Sequence, residues 1–574
     1  MVAHTLEIYD RISSPLVTSL LTTHPNQVTL DGRTPDLWSS WWGWAAEYDQ
    51  ELPKWQQLLS YYCRPIESPA ENGGLEISGF IPAELRLLID TVRNLQLDRE
   101  PLSVPVPAQS PRIPPKTRGR SPSSFGMSPK KEHEVTRMAT FVHTLLNRDG
   151  ARCQNVQHVV DVGSGQGYLS RALEEQGLHV LALDNNENQT SGANNRKIKD
   201  ALRRAHEQRR NNAQRHASTA SPDVNACPSQ TTPSSHRKGS LTHRTVHIQP
   251  TSLEAAIQDW LLSSASNTFA STRDPIPIMF VALHACGSLT VDVLRTFLSH
   301  HSKVECERWW EPHSLVIVGC CYNLISPSDF PLSEPLLSLS PRPTLPIAAL
   351  HLATQVPAHW FRTERAGKTA RLAVRKVVYR ALLQPVMQLT AQCKKESPDT
   401  QDTMSRVDAQ GSMARLGLGE TPENRRLGKL NDASYADWNT FLVSATTKLG
   451  IGIPDLTRQY SEGVPSGDRL PPWILNPNND SRDEEGIFKR LRMESRLEVV
   501  HVLRCILGPL IESLILQDRY EWIRGELGAV RGKHRVDEEG KITVQNRNMT
   551  IEMVNLFDQA TGSGRNVALV VSPA

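Results

Sequence analysis

The run Asp161-Val-Gly-Ser-Gly-Gln-Gly167 constrains this 574-residue chain more than any other feature. Its three glycines stand between an apolar stretch, Val156–Val162, that reads as a strand and a segment, Tyr168–Gln176, that reads as a helix. A glycine turn at such a junction lets the backbone approach a ligand closely and aims amide N–H groups at it. His179–Asp184 reads as a second strand, completing a β-α-β unit. The alternation then continues through a strand at Arg244–Ile248, a helix at Leu253–Leu262, a strand at Ile278–Leu283, a helix at Leu289–His300 and a strand at Ser314–Val318. Strands alternating with helices imply a parallel sheet of the α/β doubly wound class.

The spacing of the glycines selects among ligands. It is G-x-G-x-G, and Tyr168 occupies the position where a dinucleotide site would carry its third glycine. No Gly-Lys-Ser/Thr follows, which excludes a P-loop. Asp161 before the turn is what the methyl-donor version of the loop carries, and Asp184 ends the second strand where a carboxylate can accept hydrogen bonds from both ribose hydroxyls. The expectation is a Rossmann-like class I methyltransferase sheet that binds S-adenosyl-L-methionine, and no dinucleotide, through Asp161, Gly163, Gly165, Gly167 and Asp184.

Several separate blocks resemble a named family. Lys130-Lys-Glu-His-Glu-Val135, Asp161–Ser170, Leu283-His-Ala-Cys-Gly-Ser-Leu289 and Val318-Gly-Cys-Cys-Tyr-Asn323 are similar to the methyltransferase-like twenty-five proteins, also called ribosomal RNA adenine dimethylase domain-containing. Val500–Leu514, Asp518-Arg519, Leu556-Phe-Asp558 and Arg565-Asn566 extend the resemblance. It implies a methyl-donor fold with Gly163, Gly165, Gly167 and Asp184 as cofactor contacts. The Leu-His-x-Cys-Gly block also resembles one in transfer RNA ribose methyltransferases, whose additional zinc-finger cysteines and histidines this chain lacks.

Methyl transfer from a sulfonium is an in-line displacement, so an enzyme must position the acceptor and, where needed, take its proton. Ligands of open α/β sheets sit beyond the carboxyl ends of the strands. There the sequence places His284 as a candidate base, Tyr322 and Asn323 as groups that could stack on or orient an acceptor, and Cys286, Cys320 and Cys321 as lining residues. The Asp/Asn-Pro-Pro-Tyr-like motif of adenine amino-methyltransferases is replaced by Gly-Cys-Cys-Tyr-Asn, which argues against adenine dimethylation. The cysteines read first as small apolar packing residues, with no metal. A soft metal site built from them and His284 is the second reading, discounted because adjacent Cys320 and Cys321 would face opposite sides of a strand.

Around this core the chain is expected to carry a helical domain over 1–100 with a tryptophan group at Trp38, Trp41, Trp42, Trp44 and Trp55, and a Pro/Ser-rich linker over 101–127. The core over 128–325 opens on a helix capped by Ser128 and contains a basic insert at 196–240, whose second half has little to bury. Residues 326–495 read as an insertion with helices near Arg371–Leu383 and Tyr435–Leu449, and 496–574 as a long helix, Leu497–Ile523, plus two strands that complete the sheet. The tryptophans are expected in a helical core rather than stacked on bases.

A net charge of +3 leaves nucleic-acid contact to local clusters, namely the basic run from Arg196 to Arg215 and the pair Lys130 and Lys131. Cations in the first turn of a helix oppose its dipole, so the pair is assigned to an anionic substrate. The partner expected is RNA or a protein of the translation machinery. A cofactor-binding scaffold without turnover is the alternative. Nine scattered cysteines with no Cys-x-x-Cys pair fit a reducing intracellular compartment. Arg504, Pro509, Glu512 and Asp518 within the apolar stretch Val499–Tyr520 point to a buried helix rather than a membrane span, and Met1–Asp10 shows no targeting pattern.

Overall fold

The computed structural model describes residues 2–30, 34–49, 51–65, 80–102, 127–147, 156–198, 202, 239–264, 275–302, 310–393, 427–452, 484–531, 535–536, 542–543, 548–559, 561 and 564–574. Most of the expected linker, the basic stretch beyond residue 198 apart from Leu202, and the polar stretch 394–426 lie outside the described residues. The chain divides into two compact units, one of Met1–Glu7, Leu97–Thr354 and Glu512–Ala574, the other of Ile8–Gln96 and Gln355–Ile511.

The first unit is an α/β structure built on seven strands: β1 His158–Val162, β2 His179–Asp184, β3 Ser240–Thr245, β4 Ile276–Cys286, β5 Trp310–Cys320, β6 Met549–Asn555 and β7 Val567–Pro573. Their order across the sheet is β3-β2-β1-β4-β5-β7-β6. The pairings among β1 to β5 are parallel, whereas β7 runs antiparallel to both β5 and β6. This is the doubly wound sheet the alternation predicts, closed at one edge by the two C-terminal strands.

Successive side chains of a strand point to opposite faces, and here both faces are covered, which is why the strands read as unbroken apolar runs. On one face Val160, Val162, Leu183 and Phe280 pack against α3 (Pro250–Ser264), α4 (Leu289–His301) and the end of α5 (Glu484–Arg531), through Leu253, Trp260, Val293, Phe297 and Ile523. On the other, Val159, Val180, Met279 and Val316 meet Met138, Val142 and Leu145 of α1 (Pro129–Leu146) and Leu169 and Leu173 of α2 (Tyr168–Glu175). The Ser128 hydroxyl caps α1 by accepting the Lys131 N–H, with Pro129 in the first turn as its fixed φ favours.

Three elements differ from the sequence reading. The third strand lies at Ser240–Thr245, not Arg244–Ile248, because pairing with β2, from His179 opposite Ser240 to Asp184 opposite Thr245, decides its ends. Strands β4 and β5 run on to Cys286 and Cys320, so His284, Cys286, Gly319 and Cys320 stand in the sheet rather than after it. Finally, 1–100 and 326–495 are not separate pieces: residues 326–354 belong with the sheet, while Ile8–Gln96 and Gln355–Ile511 share one helical core.

The reason is burial within that second unit. Trp38, Trp41 and Trp42 are at most 1% exposed and pack with ring centroids 5.5–5.9 Å apart, with the Arg496 guanidinium 4.8 Å from the Trp42 ring, so these three rings are core and offer no face to a base. Arg504 donates to the carbonyls of Leu21 and Thr23, ending the helix Pro15–Thr22. Helix α5 is long and apolar enough to cross a membrane by composition alone, yet 94% of its apolar window is buried inside the protein.

Candidate active site

Parallel strands bring their carboxyl ends to one edge, and the reversal of strand order between β1 and β4 opens a crevice there. The glycine loop lies at this point. Gly163, Gly165 and Gly167 have φ of +75°, +54° and +67°, a region where side chains are disfavoured. The Gly163 and Ser164 N–H groups donate to the Leu183 carbonyl at 2.8 and 2.9 Å, tying the loop to β2. The three glycines answer different demands. A Cβ on Gly167 would stand 2.6 Å from Cε1 of His243 on β3, so that position is closed by packing, whereas a Cβ on Gly165 would meet nothing within 4 Å. The loop presents backbone to open space.

Asp184 sits directly beside it, accepting the Gly165 N–H on Oδ2 at 2.8 Å and the Asn186 N–H on Oδ1 at 2.9 Å. Each carboxylate oxygen keeps lone-pair capacity for a further donor. Asp161 is buried beneath the loop and accepts the Ser170 hydroxyl at 2.5 Å. Burial pushes its carboxyl up to about 6, against the pull of Ser170 and the Lys131 charge.

At the end of β4, the two residues between Ala282 and Ala285, Leu283 and His284, stand opposite one on β5, Val318. This bulge inserts a residue and brings His284 towards α1, where its Nε2 lies 3.1 Å from Oε2 of Glu134. Glu134 is 1% exposed, and its buried Oε1 makes no hydrogen bond among the described residues. Burial alone would raise this carboxyl, but the hydrogen bond with His284 and the charges of His284, Lys131 and Lys130 outweigh it and hold the group below the usual carboxylate range. Lys131 approaches Glu134 Oε2 at 4.0 Å and lies near Asp161, while burial lowers its own pKa. Lys130 is exposed one position earlier.

The structure therefore gathers Lys131, Asp161, His284, Cys286, Cys320 and Cys321 around the strand ends, with Asp184 and the glycines across the crevice. It does not bring Tyr322 to an acceptor. That ring is 1% exposed and its hydroxyl donates to Glu512 at 2.9 Å, so Tyr322 is a buried structural residue, a correction to its assignment as a stacking group. Asn323 is half-buried on the short turn Tyr322–Leu324. His284 joins Glu134 and not a four-residue metal set, whereas the sulfur atoms of Cys286, Cys320 and Cys321 lie within 4.8 Å of one another. Of the basic run, Arg196 hydrogen-bonds the Tyr168 hydroxyl and Lys197 the Leu241 carbonyl, so both serve the fold rather than facing phosphates. Glu134 was missed from sequence, although it falls four residues before Met138 and eight before Val142, an acid on an otherwise apolar stripe.

The donor set fits S-adenosyl-L-methionine: a loop open at Gly165, a carboxylate at Asp184 placed for hydroxyl donors, and the acids Asp161 and Glu134 beside a cationic ligand's space. Residues 130–328 match the family model described as a methyltransferase domain, and the sheet and loop are those of such a domain. The chain is similar to the probable methyltransferase-like protein 25 of Homo sapiens, 37% identical over 87 residues, which are 15% of this chain and 14% of that protein. It is 38% identical over 76 residues to the protein of the same name from Mus musculus, 13% of this chain and 12% of the relative. The likeness to the methyltransferase-like 25 proteins is thus confined to one stretch of the chain, and the matched segments cover a small part of these relatives' lengths. No solved structure matches it.

Proposed function

We propose that the chain is an S-adenosyl-L-methionine-dependent methyltransferase whose acceptor is RNA or a protein of the translation machinery. The observation that carries the cofactor reading is the left-handed glycine loop, open at Gly165 and hydrogen-bonded to Asp184. When bound, the cofactor supplies an electrophilic methyl group on a sulfonium. Asp184 accepts hydroxyl donors, and Asp161 and Glu134 place negative charge beside the cationic ligand.

On the acceptor side, Glu134 holds the His284 ring through Nε2, which leaves Nδ1 as the nitrogen able to take a proton. His284 keeps a third of its side chain exposed at the crevice edge, within reach of solvent-borne acceptors. Lys130 and Lys131 add positive charge at the same edge and support an anionic acceptor.

The test is transfer of tritiated methyl groups into a whole-cell extract fractionated into RNA and protein, with Asp184→Ala as control. Label in one fraction that disappears with the variant is the expected result. Cofactor binding by calorimetry without any transfer would favour a scaffold, and no binding at millimolar ligand would overturn the reading.

A further inference from the structure

Cys286 and Cys320 end neighbouring strands and are register partners, with their sulfurs 3.3 Å apart. Cys321 follows at φ +47° and ψ +51°, the one non-glycine residue with positive φ among the described residues. A left-handed residue breaks the alternation of the strand, so the sulfurs of adjacent cysteines converge instead of pointing to opposite faces. Holding a non-glycine residue there costs about 1–2 kcal/mol, which the surrounding structure must offset.

Two turns lock the arrangement. The Gly287 N–H donates to the Cys320 carbonyl at 2.9 Å, and a Cβ on Gly287, at φ +55°, would stand 2.4 Å from the Leu324 carbonyl oxygen. The turn after Cys286 is thus pressed onto the turn after Cys321, and the three thiols are fixed before any ligand arrives.

The charges around them are positive. Lys131 and Arg519 lie near Cys320, and Arg565 stands near Cys286 and Cys321. Arg519 is 1% exposed, and its Nε, Nη1 and Nη2 make no hydrogen bond among the described residues. Nearby Asp518 is occupied by Ser333 and Leu332, and Asp329 by Arg295. Asp518 and Asp329 place negative charge near this guanidinium, and a thiolate cluster at Cys320 would add to it while leaving their present partners in place.

We propose that Cys286, Cys320 and Cys321 are a three-thiolate site for one thiophilic d10 cation, zinc or copper(I). Three sulfurs at the ordinary zinc distance of about 2.3 Å stand about 3.8–4.0 Å apart. The contact of 3.3 Å and the outer limit of 4.8 Å bracket that spacing, so small side-chain rotations complete the set. Binding releases the thiol protons to solvent and leaves a net negative cluster that Arg519, Lys131 and Arg565 compensate. His284 stays with Glu134, and zinc would keep a fourth position for water or an acceptor atom. Metal binding is measured without any acceptor, so failure of this proposal and failure of the methyltransferase reading are distinguishable.

The full chain is purified under reductant and loaded in separate arms with Zn²⁺ and, anaerobically, with Cu⁺ against a chromogenic copper chelator. The expected result is about one equivalent of one ion per chain by mass spectrometry of the metal, and the arm that retains it identifies the ion. Iodoacetamide footprinting of wild type then shows the half-buried Cys286 and Cys321 at least tenfold protected in the loaded form and modified after chelation, while exposed Cys63 reacts in both. Cys320→Ser loses the metal and Cys63→Ser keeps it; if Cys320→Ser does not fold, the wild-type footprint decides. Less than about a tenth of an equivalent in both arms, metal without protection of Cys286 and Cys321, or a Cys286–Cys320 disulfide in metal-free protein overturns the proposal.

Discussion

Replacing Gly165 and Gly167 separately by alanine separates ligand space from packing space. Both positions are left-handed, at φ +54° and +67°, so each alanine costs about 1–2 kcal/mol of stability from backbone strain alone. At Gly167 the new methyl would also stand 2.6 Å from Cε1 of His243, against an ordinary carbon contact of about 3.5 Å, so the ring must move by about 1 Å. Overpacking of that kind adds about 1–3 kcal/mol. At Gly165 the methyl meets no protein atom within 4 Å and instead enters the space assigned to the cofactor. There the same ~1–3 kcal/mol appears in binding, a loss of about fivefold to 150-fold in affinity. Scanning fluorimetry ranks the stabilities and calorimetry with S-adenosyl-L-methionine measures Kd. Gly167→Ala should show the larger fall in midpoint, and folded Gly165→Ala the larger fall in affinity relative to its stability loss. Wild-type affinity in a folded Gly165→Ala protein would refute the assignment of the loop.

Asp161 carries a pH prediction. Its carboxyl stands at about 6 in the fold against an ordinary 3.8, a difference of about 3 kcal/mol. Between those values the folded state holds a proton the unfolded state has lost, so the stability Asp161 contributes is complete below about pH 4 and is lost as pH rises through 6. Denaturation of wild type and Asp161→Asn across that window, without cofactor, should show wild type falling relative to the variant; parallel curves would sink the idea. His284→Ala should lower kcat by about 10²–10⁴ with the cofactor Kd unchanged, since the ring acts on the acceptor. An equal loss of cofactor affinity in calorimetry would place it elsewhere. Tyr322→Phe removes a buried hydroxyl from Glu512, which remains paired with Arg99 at 3.0 Å, and should cost about 1–3 kcal/mol in stability with little change in kcat of the folded enzyme. A stable variant with abolished turnover would restore Tyr322 to the acceptor site.

Much of the sheet was legible because its signals are local. A strand buried on both faces is a continuous apolar run, and a left-handed turn next to it requires glycine, so Val159 to Gly167 announces the strand and the turn, and the helix opens at Tyr168. Asp184 was legible for the same reason, as the acid ending the next such run. Element ends were less so: β3 is polar on an edge, and pairing with β2 rather than its own composition decides where it begins.

By itself, then, the amino-acid order determined the doubly wound sheet, the glycine loop and the acid beside it, since each rests on period and backbone preference over a few residues. Tertiary structure decided what surrounds them. The β4 bulge turns His284 to a glutamate 150 residues earlier, the Glu512 carboxylate draws Tyr322 inward, and a left-handed Cys321 gathers three sulfurs that an ideal strand would have separated. Likewise, the N-terminal helices share a core with residues 355–511 because their tryptophans and apolar faces need covering. A bulge, a register and a partner 150 or more residues away depend on which surfaces meet, and no local pattern records that.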